Sequence, residues 1–223
     1  MKNNNDDKIT TGMFTLILSV AEQSVRHGLD FGKPMQLAGP GASGRRVTVD
    51  TSLYGGYSSA LRRKGASFIT VTHTEQLRGC IGTLIPYRPL AIDVVANAYA
   101  AAFNDPRFPP LQTSEWSKLA LSVSVLSRAV ELPVNNEANL LARLKPGIDG
   151  LILTEGNHRA TFLPQVWEHL SEPADFLSQL KCKAGLDEDY WSDSLRFFRY
   201  TTQSYGRLVD SPHVYESAVE KDS

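Results

Sequence analysis

The stretch from Leu77 to Leu84 contains one cysteine whose neighbouring residues could support chemistry. Cys80 supplies a thiol, Arg78 supplies a positive charge two residues earlier, and Gly79 and Gly82 offer bare backbone. Side chains of a strand alternate between two faces, so Arg78 and Cys80 are expected on the same face. A nearby cation favours the nucleophilic thiolate. Cys80 is therefore the candidate catalytic residue, and the arginine and both glycines are candidate binding residues.

A second interpretation of Cys80 is a buried, inert thiol, because free cysteine is among the residue types most often found in protein interiors. A nucleophilic cysteine also needs a base. The five histidines are scattered, and none stands in a recognisable cysteine-hydrolase motif. None has metal-ligand spacing either, so no metal site is predicted. Both interpretations of Cys80 stay open.

Three polar residues outside this stretch are further candidates for binding. Asp105 and Arg107 lie in a segment with three prolines, which oppose both helix and sheet hydrogen bonding. Asp105 and Arg107 either stabilise their own turn or form an anion-binding fork. Gln165, at a predicted strand–helix junction, either hydrogen-bonds backbone or faces a ligand. We predict that Asp105 and Arg107 lie beside Cys80.

A β-hairpin over Ala66 to Leu84 is predicted to carry the cysteine. β-Branched and aromatic residues precede a polar turn, and the return strand contains Leu77, Ile81 and Thr83 at the spacing of one apolar face. Pro89 then opens a helix whose apolar stripe includes Ile92, and Leu119 to Leu126 alternates as a strand.

The same order of elements recurs in the second half of the chain. Gly150 to Thr154 and His158 to Leu163 form the second predicted hairpin, Pro173 to Ala184 the helix, and Leu195 to Tyr200 the strand. Superposing the hairpins sets Thr161 against the cysteine. The repeat predicts an α+β fold with two lobes, each built from a hairpin–helix–strand unit.

The remaining segments are assigned from periodicity and from glycine and proline. They are predicted to be a helix from Thr11 to His27 stopped by Gly28, a loop from Asp30 to Arg46, a helix from Ser58 to Lys64 closed by Gly65, and flexible tails at 1–8 and 207–223.

Composition excludes several classes of protein. The chain has 223 residues, a hydrophobic content of 42% and a formal net charge of −1, so nothing attracts it to nucleic acid or to an anionic membrane. Two cysteines are too few for a disulfide framework or a cysteine zinc site. The polar N-terminus is neither a secretory signal nor a membrane span, which predicts a cytoplasmic protein.

Three ordered motifs resemble the AMMECR family. They are Leu-Arg-Gly-Cys-Ile-Gly at 77–82, Asn-Asp-Pro-Arg-Phe-Pro-Pro-Leu at 104–111 and Phe-Leu-Pro-Gln-Val-Trp at 162–167. The resemblance covers residues 9–205 as a single two-lobed domain. Within the family, the chain is similar to the bacterial type called AmmeMemoRadiSam system protein A. It implies a duplicated α+β unit with swapped C-terminal strands. It also implies a radical SAM protein and a Memo-type protein as partners.

Two functions compete on these residues. In the first, the chain belongs to an enzyme that acts on a small molecule or peptide through an Arg-Gly-Cys groove at residues 78–80. The resemblance implies that its partners hold the iron–sulfur and metal chemistry, so no cofactor is expected here. In the second, the groove belongs to a non-catalytic interaction or regulatory module. The reactivity of Cys80 distinguishes the two.

Overall fold

A computed structural model of the protein describes residues 9–37 and 59–216. The fold is α+β, as predicted, with 35% helix and 28% strand among the described residues. The described residues form two compact units, the first from 9 to 126 together with 203–216, and the second from 127 to 202. The predicted tail at 1–8, the loop from 38 onward and the last seven residues lie outside the described residues.

Unit 1 is built on a five-stranded sheet with the strand order β11-β10-β5-β2-β3. Its strands are β2 (Ser67–His73), β3 (Gln76–Gly82), β5 (Leu119–Leu126), β10 (Thr202–Leu208) and β11 (Tyr215–Glu216). The short strands β1 (Lys64–Gly65) and β4 (Arg88–Pro89) form a separate pair. Its helices are α1 (Thr11–Phe31), α2 (Ser59–Arg62), α3 (Leu90–Phe103) and a 3₁₀ helix (Thr113–Lys118).

Helix α1 is longer than the sequence predicted. Thr10 caps its start by accepting a hydrogen bond from the Met13 N–H, and Gly32 ends it in a left-handed conformation, with φ 65°. The predicted stop, Gly28, is wrong because this glycine serves packing between helices. A Cβ there would lie 2.2 Å from the ring of Phe103, so the bare backbone lets α1 approach α3 closely.

Helix α3 has the predicted period, but its buried face is rotated from the predicted stripe. Ile92 remains 44% exposed, whereas Asp93 and Asn97 are buried. Asp93 accepts hydrogen bonds from the N–H and hydroxyl of Ser67 and from Arg88 Nε, at 2.7 to 2.8 Å. Polar residues joined in this way can occupy a core face, which a hydrophobic pattern alone does not reveal.

Unit 2 is built on a four-stranded sheet with the strand order β6-β9-β7-β8. Its elements are β6 (Val130–Glu131), α4 (Glu137–Leu141), β7 (Gly150–Glu155), β8 (His158–Phe162), a 3₁₀ helix (Pro164–Glu168), α5 (Pro173–Lys183) and β9 (Arg196–Tyr200). Trp167 stacks on Phe176 of α5 with ring centroids 3.8 Å apart, at the centre of an apolar core.

The duplicated order of elements is present in both units. In each, a strand follows the helix and pairs antiparallel with the first strand of the hairpin, β5 with β2 and β9 with β7. The next strand of the chain then belongs to the other unit, since β6 follows β5 but pairs with β9, and β10 follows β9 but joins the sheet of β5. This agrees with the exchange of C-terminal strands that the resemblance implied.

Two assignments near the chain's short elements differ from the sequence prediction. Gly65 is part of β1 rather than a helix end, and α2 stops at Arg62. Residues 207–216, predicted as flexible tail, complete β10 and form β11, and buried Arg207 pairs with Glu22 of α1 at 2.6 Å. None of the helices in the described ranges has the length and apolar character needed to cross a bilayer.

Candidate functional site

A β-bulge in β3 places the arginine of the motif. Val71 pairs with Gly79 and Thr72 pairs with Leu77, so Arg78 is the extra residue of the bulged strand. Because directly paired residues share a face, Leu77 joins the face of Thr72 rather than that of Ile81, and the predicted apolar face is wrong at this position. Bulges re-aim side chains and are common beside active sites.

Other residues of unit 1 occupy the space beside the two glycines of the motif. A Cβ on Gly79 would lie 2.0 Å from the carbonyl oxygen of Ala101 in α3, and one on Gly82 would lie 2.2 Å from the ring of Phe68. Both glycines thus permit a close approach, but the approaching groups are the helix backbone and a neighbouring aromatic ring. The missing side chains of the two glycines therefore allow close packing around Cys80.

Asp105 and Arg107 close the outer edge of β3 at Cys80. The Cys80 N–H donates to Asp105 Oδ2 at 2.8 Å, and Arg107 Nη2 donates to the Cys80 carbonyl at 3.3 Å. Asp105 also accepts from the N–H, Nε and Nη2 of Arg107, at 2.8 to 3.0 Å. We call this arrangement the edge clip. It gives Cys80 the acceptor and donor that a neighbouring strand would supply.

The two side chains of the edge clip differ strongly in solvent exposure. The Asp105 side chain is 2% exposed, whereas that of Arg107 is 53% exposed. Hydrogen bonding from Arg107, joined by the Cys80 N–H, holds the pKa of Asp105 far below its usual range although burial opposes this. Asp105 is therefore a carboxylate throughout the physiological pH range, and it stabilises both β3 and the loop after α3.

Arg78 makes a second ion pair, with Glu115 of the 3₁₀ helix. Its Nε and Nη2 donate to the two carboxylate oxygens at 2.7 and 3.1 Å, in the bidentate geometry typical of strong arginine–carboxylate pairs. The pairing lowers the pKa of Glu115. The remaining nitrogen, Nη1, is buried and meets no hydrogen-bond acceptor among the described residues. The positive charge expected to favour the Cys80 thiolate is thus balanced by a carboxylate.

Cys80 itself lies in a partly exposed position on the edge strand. Thr70, its direct partner on β2, donates from Oγ1 to Cys80 Sγ at 3.5 Å. The other cysteine, Cys182 of α5, is exposed. Cys80 is therefore a half-buried residue that has hydrogen-bond partners on both its backbone and its sulfur.

Gln165 belongs to unit 2. It follows Pro164 at the start of a 3₁₀ helix, as predicted, and its Oε1 is buried without a hydrogen-bond donor among the described residues. A buried amide oxygen without a donor needs a partner. The structural and the ligand-facing roles of Gln165 both stay predictions.

Sequence reasoning missed Glu115, which pairs with the motif arginine from 37 residues away. Its local signal is present, because the Gln112 N–H donates to Glu115 Oε2 at the start of the helix. That signal predicts a helix start and not an arginine partner. Within residues 9–37 and 59–216, no group of three or more His, Cys, Asp or Glu is arranged to hold a metal ion.

The AMMECR1 family model matches residues 21–205, which is most of the chain and includes all three sequence motifs. The chain belongs to the AMMECR1 family.

Relatives of this AMMECR1 chain are found in archaea. A Saccharolobus islandicus protein is 40% identical over 147 residues, which are 63% of this chain and 65% of the relative. The match thus spans slightly less than two thirds of that relative. Protein MJ0810 of Methanocaldococcus jannaschii is 32% identical over 179 residues, 78% of this chain and 86% of its own. Neither name states an activity.

A solved structure has the same AMMECR1 fold. The crystal structure of uncharacterized protein PH0010 from Pyrococcus horikoshii aligns with a TM-score of 0.69 and 25% identity. The alignment covers 91% of this chain and 95% of that one. The likeness extends over nearly the whole of both chains and so includes both units of the fold.

Proposed function

We propose that this AMMECR1 protein acts with a radical SAM protein and a Memo-type protein on a small molecule or peptide, through the Arg78–Cys80 segment. The observation that supports this best is the construction around Cys80. Cys80 is a partly exposed residue of an edge strand whose sulfur accepts a hydrogen bond from Thr70. Asp105 and Arg107 bind its backbone and are joined to each other by three further hydrogen bonds. Rigid support of this kind suits a group that must meet a substrate in one orientation.

The first test compares the two thiols of the native protein. Iodoacetamide alkylates a thiolate sulfur with loss of iodide, so its rate reports the thiolate fraction and the access of each cysteine. We expect Cys80 to react faster than Cys182 at neutral pH. Because Cys182 is the more exposed thiol, a faster reaction of Cys80 cannot come from access alone. Mass spectrometry of tryptic peptides measures both rates in one sample.

Two matched variants assign the cause. Arg78→Gln removes the cation and is expected to slow the labelling of Cys80, while Glu115→Gln releases that cation from its carboxylate and is expected to speed it. Both variants disrupt the same ion pair, so a purely structural effect would move the two rates in the same direction. Labelling of Cys80 only after unfolding would refute its role as a nucleophile.

A non-catalytic interaction module is the second candidate, and one observation favours it. Arg78 is already neutralised by Glu115, which weakens the electrostatic reason for a reactive thiol. The partner assignment is tested separately by co-purification of the tagged chain with a radical SAM protein and a Memo-type protein encoded beside it. The interaction module would be favoured if wild type and Cys80→Ser both retained the two partner proteins and Cys80 of the wild type proved unreactive. Loss of both proteins from the wild type would refute the assembly.

A further inference from the structure

Unit 2 contains a cavity of about 280 Å³ that is separate from the cysteine site. It is lined by residues that precede α4 and residues that precede β9. These are Val134, Asn135, Trp191, Ser192, Asp193 and Leu195. Ligand pockets in proteins usually span about 300 to 1,000 Å³, so this cavity fits a small ligand.

The hydroxyl in the cavity wall is oriented as an acceptor. Ser192 Oγ donates to Glu155 Oε1 at 2.8 Å, and the same carboxylate oxygen receives the hydroxyls of Ser194 and Tyr190 at 2.7 and 3.0 Å. A serine has a single hydroxyl proton. That proton is committed to Glu155, and one lone pair accepts from the Ser194 N–H at 3.2 Å, so Ser192 has one lone pair left for a ligand.

Two carboxylates border the cavity. Asp193 brings an exposed carboxylate to the lining. Hydrogen bonds from Ser194, Ser192 and Tyr190 lower the pKa of Glu155, which therefore stays ionised behind the wall. Its second oxygen, Oε2, is buried and receives no hydrogen bond from the described residues. A ligand that donates hydrogen bonds and carries positive charge would complement this wall.

Two cations adjoin the lining, and both are already engaged. Lys181 Nζ lies 6.0 Å from the ring centroid of Trp191 and is held by Glu137 at 2.6 Å. Arg196 Nη1 donates to the backbone carbonyls of Asp193 and Leu195. None of the six lining residues is itself basic. Trp191 adds an aromatic ring, and aromatic faces attract ammonium groups.

We propose that this cavity binds a small ligand bearing a primary ammonium group. The ammonium donates to the Asp193 carboxylate and to Ser192 Oγ and lies against Trp191. The six lining residues include none of the residues of the edge clip, and the test below measures ligand binding without partner proteins or Cys80 labelling, so its outcome is separate from the tests of the function proposed above.

The test uses the full chain and a pair of isosteric probes. The cation is 1,4-diaminobutane and its neutral match is butane-1,4-diol. Nuclear magnetic resonance follows the indole N–H signal of Trp191, assigned with Trp191→Phe, up to about 20 mM probe, which is well above a millimolar Kd. We expect the diamine to shift this signal saturably and the diol to leave it unchanged.

Two single-charge variants control for non-specific attraction. Asp193→Asn removes the carboxylate of the lining and should weaken diamine binding at least tenfold. Asp189→Asn removes an exposed carboxylate that does not line the cavity and should change the Kd less than twofold. Equal shifts with the diol, equal weakening in the two variants, or no shift of Trp191 at the highest diamine concentration would overturn the proposal.

Discussion

Replacing Asp105 by Asn tests whether the edge clip holds the cysteine strand. The substitution keeps the size of the side chain and removes its charge. In the native protein Asp105 accepts four hydrogen bonds, one from the Cys80 N–H and three from Arg107. An asparagine side chain has one acceptor oxygen, and its NH₂ group would face donors instead of accepting from them.

The magnitude follows from the number of hydrogen bonds lost. Hydrogen bonds to charged groups contribute about 1.5–3 kcal/mol each, and Asn cannot keep at least two of the four. The guanidinium of Arg107 is half exposed, so water compensates part of the loss on that side. We therefore expect Asp105→Asn to lower the free energy of unfolding by about 2–4 kcal/mol.

Two measurements check this value. Amide hydrogen exchange reads the Cys80 N–H directly, and a local loss of 2 kcal/mol corresponds to about 30-fold faster exchange. Urea unfolding reads the stability of the whole chain, with Glu75→Gln as the control because this exposed carboxylate lies in the hairpin turn. The control should leave both the midpoint and the Cys80 exchange rate unchanged.

The pH dependence supplies an independent sign. The pKa of Asp105 is lower in the folded protein than its ordinary value of about 3.9. Its contribution is therefore present above about pH 4 and is lost as the pH falls through the folded-state value, because the unfolded chain binds protons first. The stability difference between wild type and Asp105→Asn should narrow as the pH falls below about 4.

An unchanged rate of hydrogen exchange at the Cys80 N–H in Asp105→Asn would refute the role of the edge clip.

Three further predictions concern buried groups. Gly79→Ala should destabilise by about 3 kcal/mol or more, because its Cβ would meet the Ala101 carbonyl, while Gly82→Ala meets only the Phe68 ring and should cost less; equal urea midpoints would contradict this. Asp93→Asn should cost about 3 kcal/mol in the same assay, since it breaks a buried pair with Arg88. Burial raises the pKa of Tyr200 to about 12, so its neutral form is favoured on folding and stability should fall as the pH rises above about 10. Ultraviolet titration against Tyr200→Phe checks that value.

The sequence predicted those parts of the fold that local patterns determine. The two hairpins, the helix after each and the strand after each helix follow from period-2 and period-3.6 patterns, and the structure has all of them. The end of α1 was wrong because a glycine inside a helix that packs against an aromatic ring has the same local appearance as a glycine that ends one. The distinction depends on Phe103, 75 residues later in the chain than Gly28.

The candidate site was predictable in its members and not in its pairing. Unusual residue types identified Arg78, Cys80, Asp105 and Arg107. The structure brings the last three into contact, whereas Arg78 pairs with Glu115. The bulge at Arg78 could not be predicted, because an extra residue is visible only against the partner strand. A regular strand would place the Arg78 side chain on the same face as Cys80, which is what the sequence predicted. In the structure, Arg78 pairs with Glu115 instead.

Comparison of the two hairpins separates scaffold from function. Counted from the turn, Cys80 and Thr161 each belong to the fourth residue pair of their hairpin, because the bulged Arg78 has no partner of its own. At both positions, charged side chains from the end of the following helix or the loop after it cover the strand edge. Arg107 donates to the Cys80 carbonyl, and Lys183 Nζ donates to the Thr161 carbonyl at 3.1 Å.

Because both units close this edge with a cation, the cationic contact alone is a property of the duplicated scaffold, which protects an exposed strand from pairing. Three features belong to unit 1 only: the thiol in place of Thr161, the bulge at Arg78 and the buried Asp105 carboxylate on the Cys80 N–H. A feature that the scaffold needs would be expected in both hairpins. The function proposed for Cys80 should therefore depend on these three features together, and Cys80→Thr, which copies the other hairpin, should remove it while leaving the fold intact.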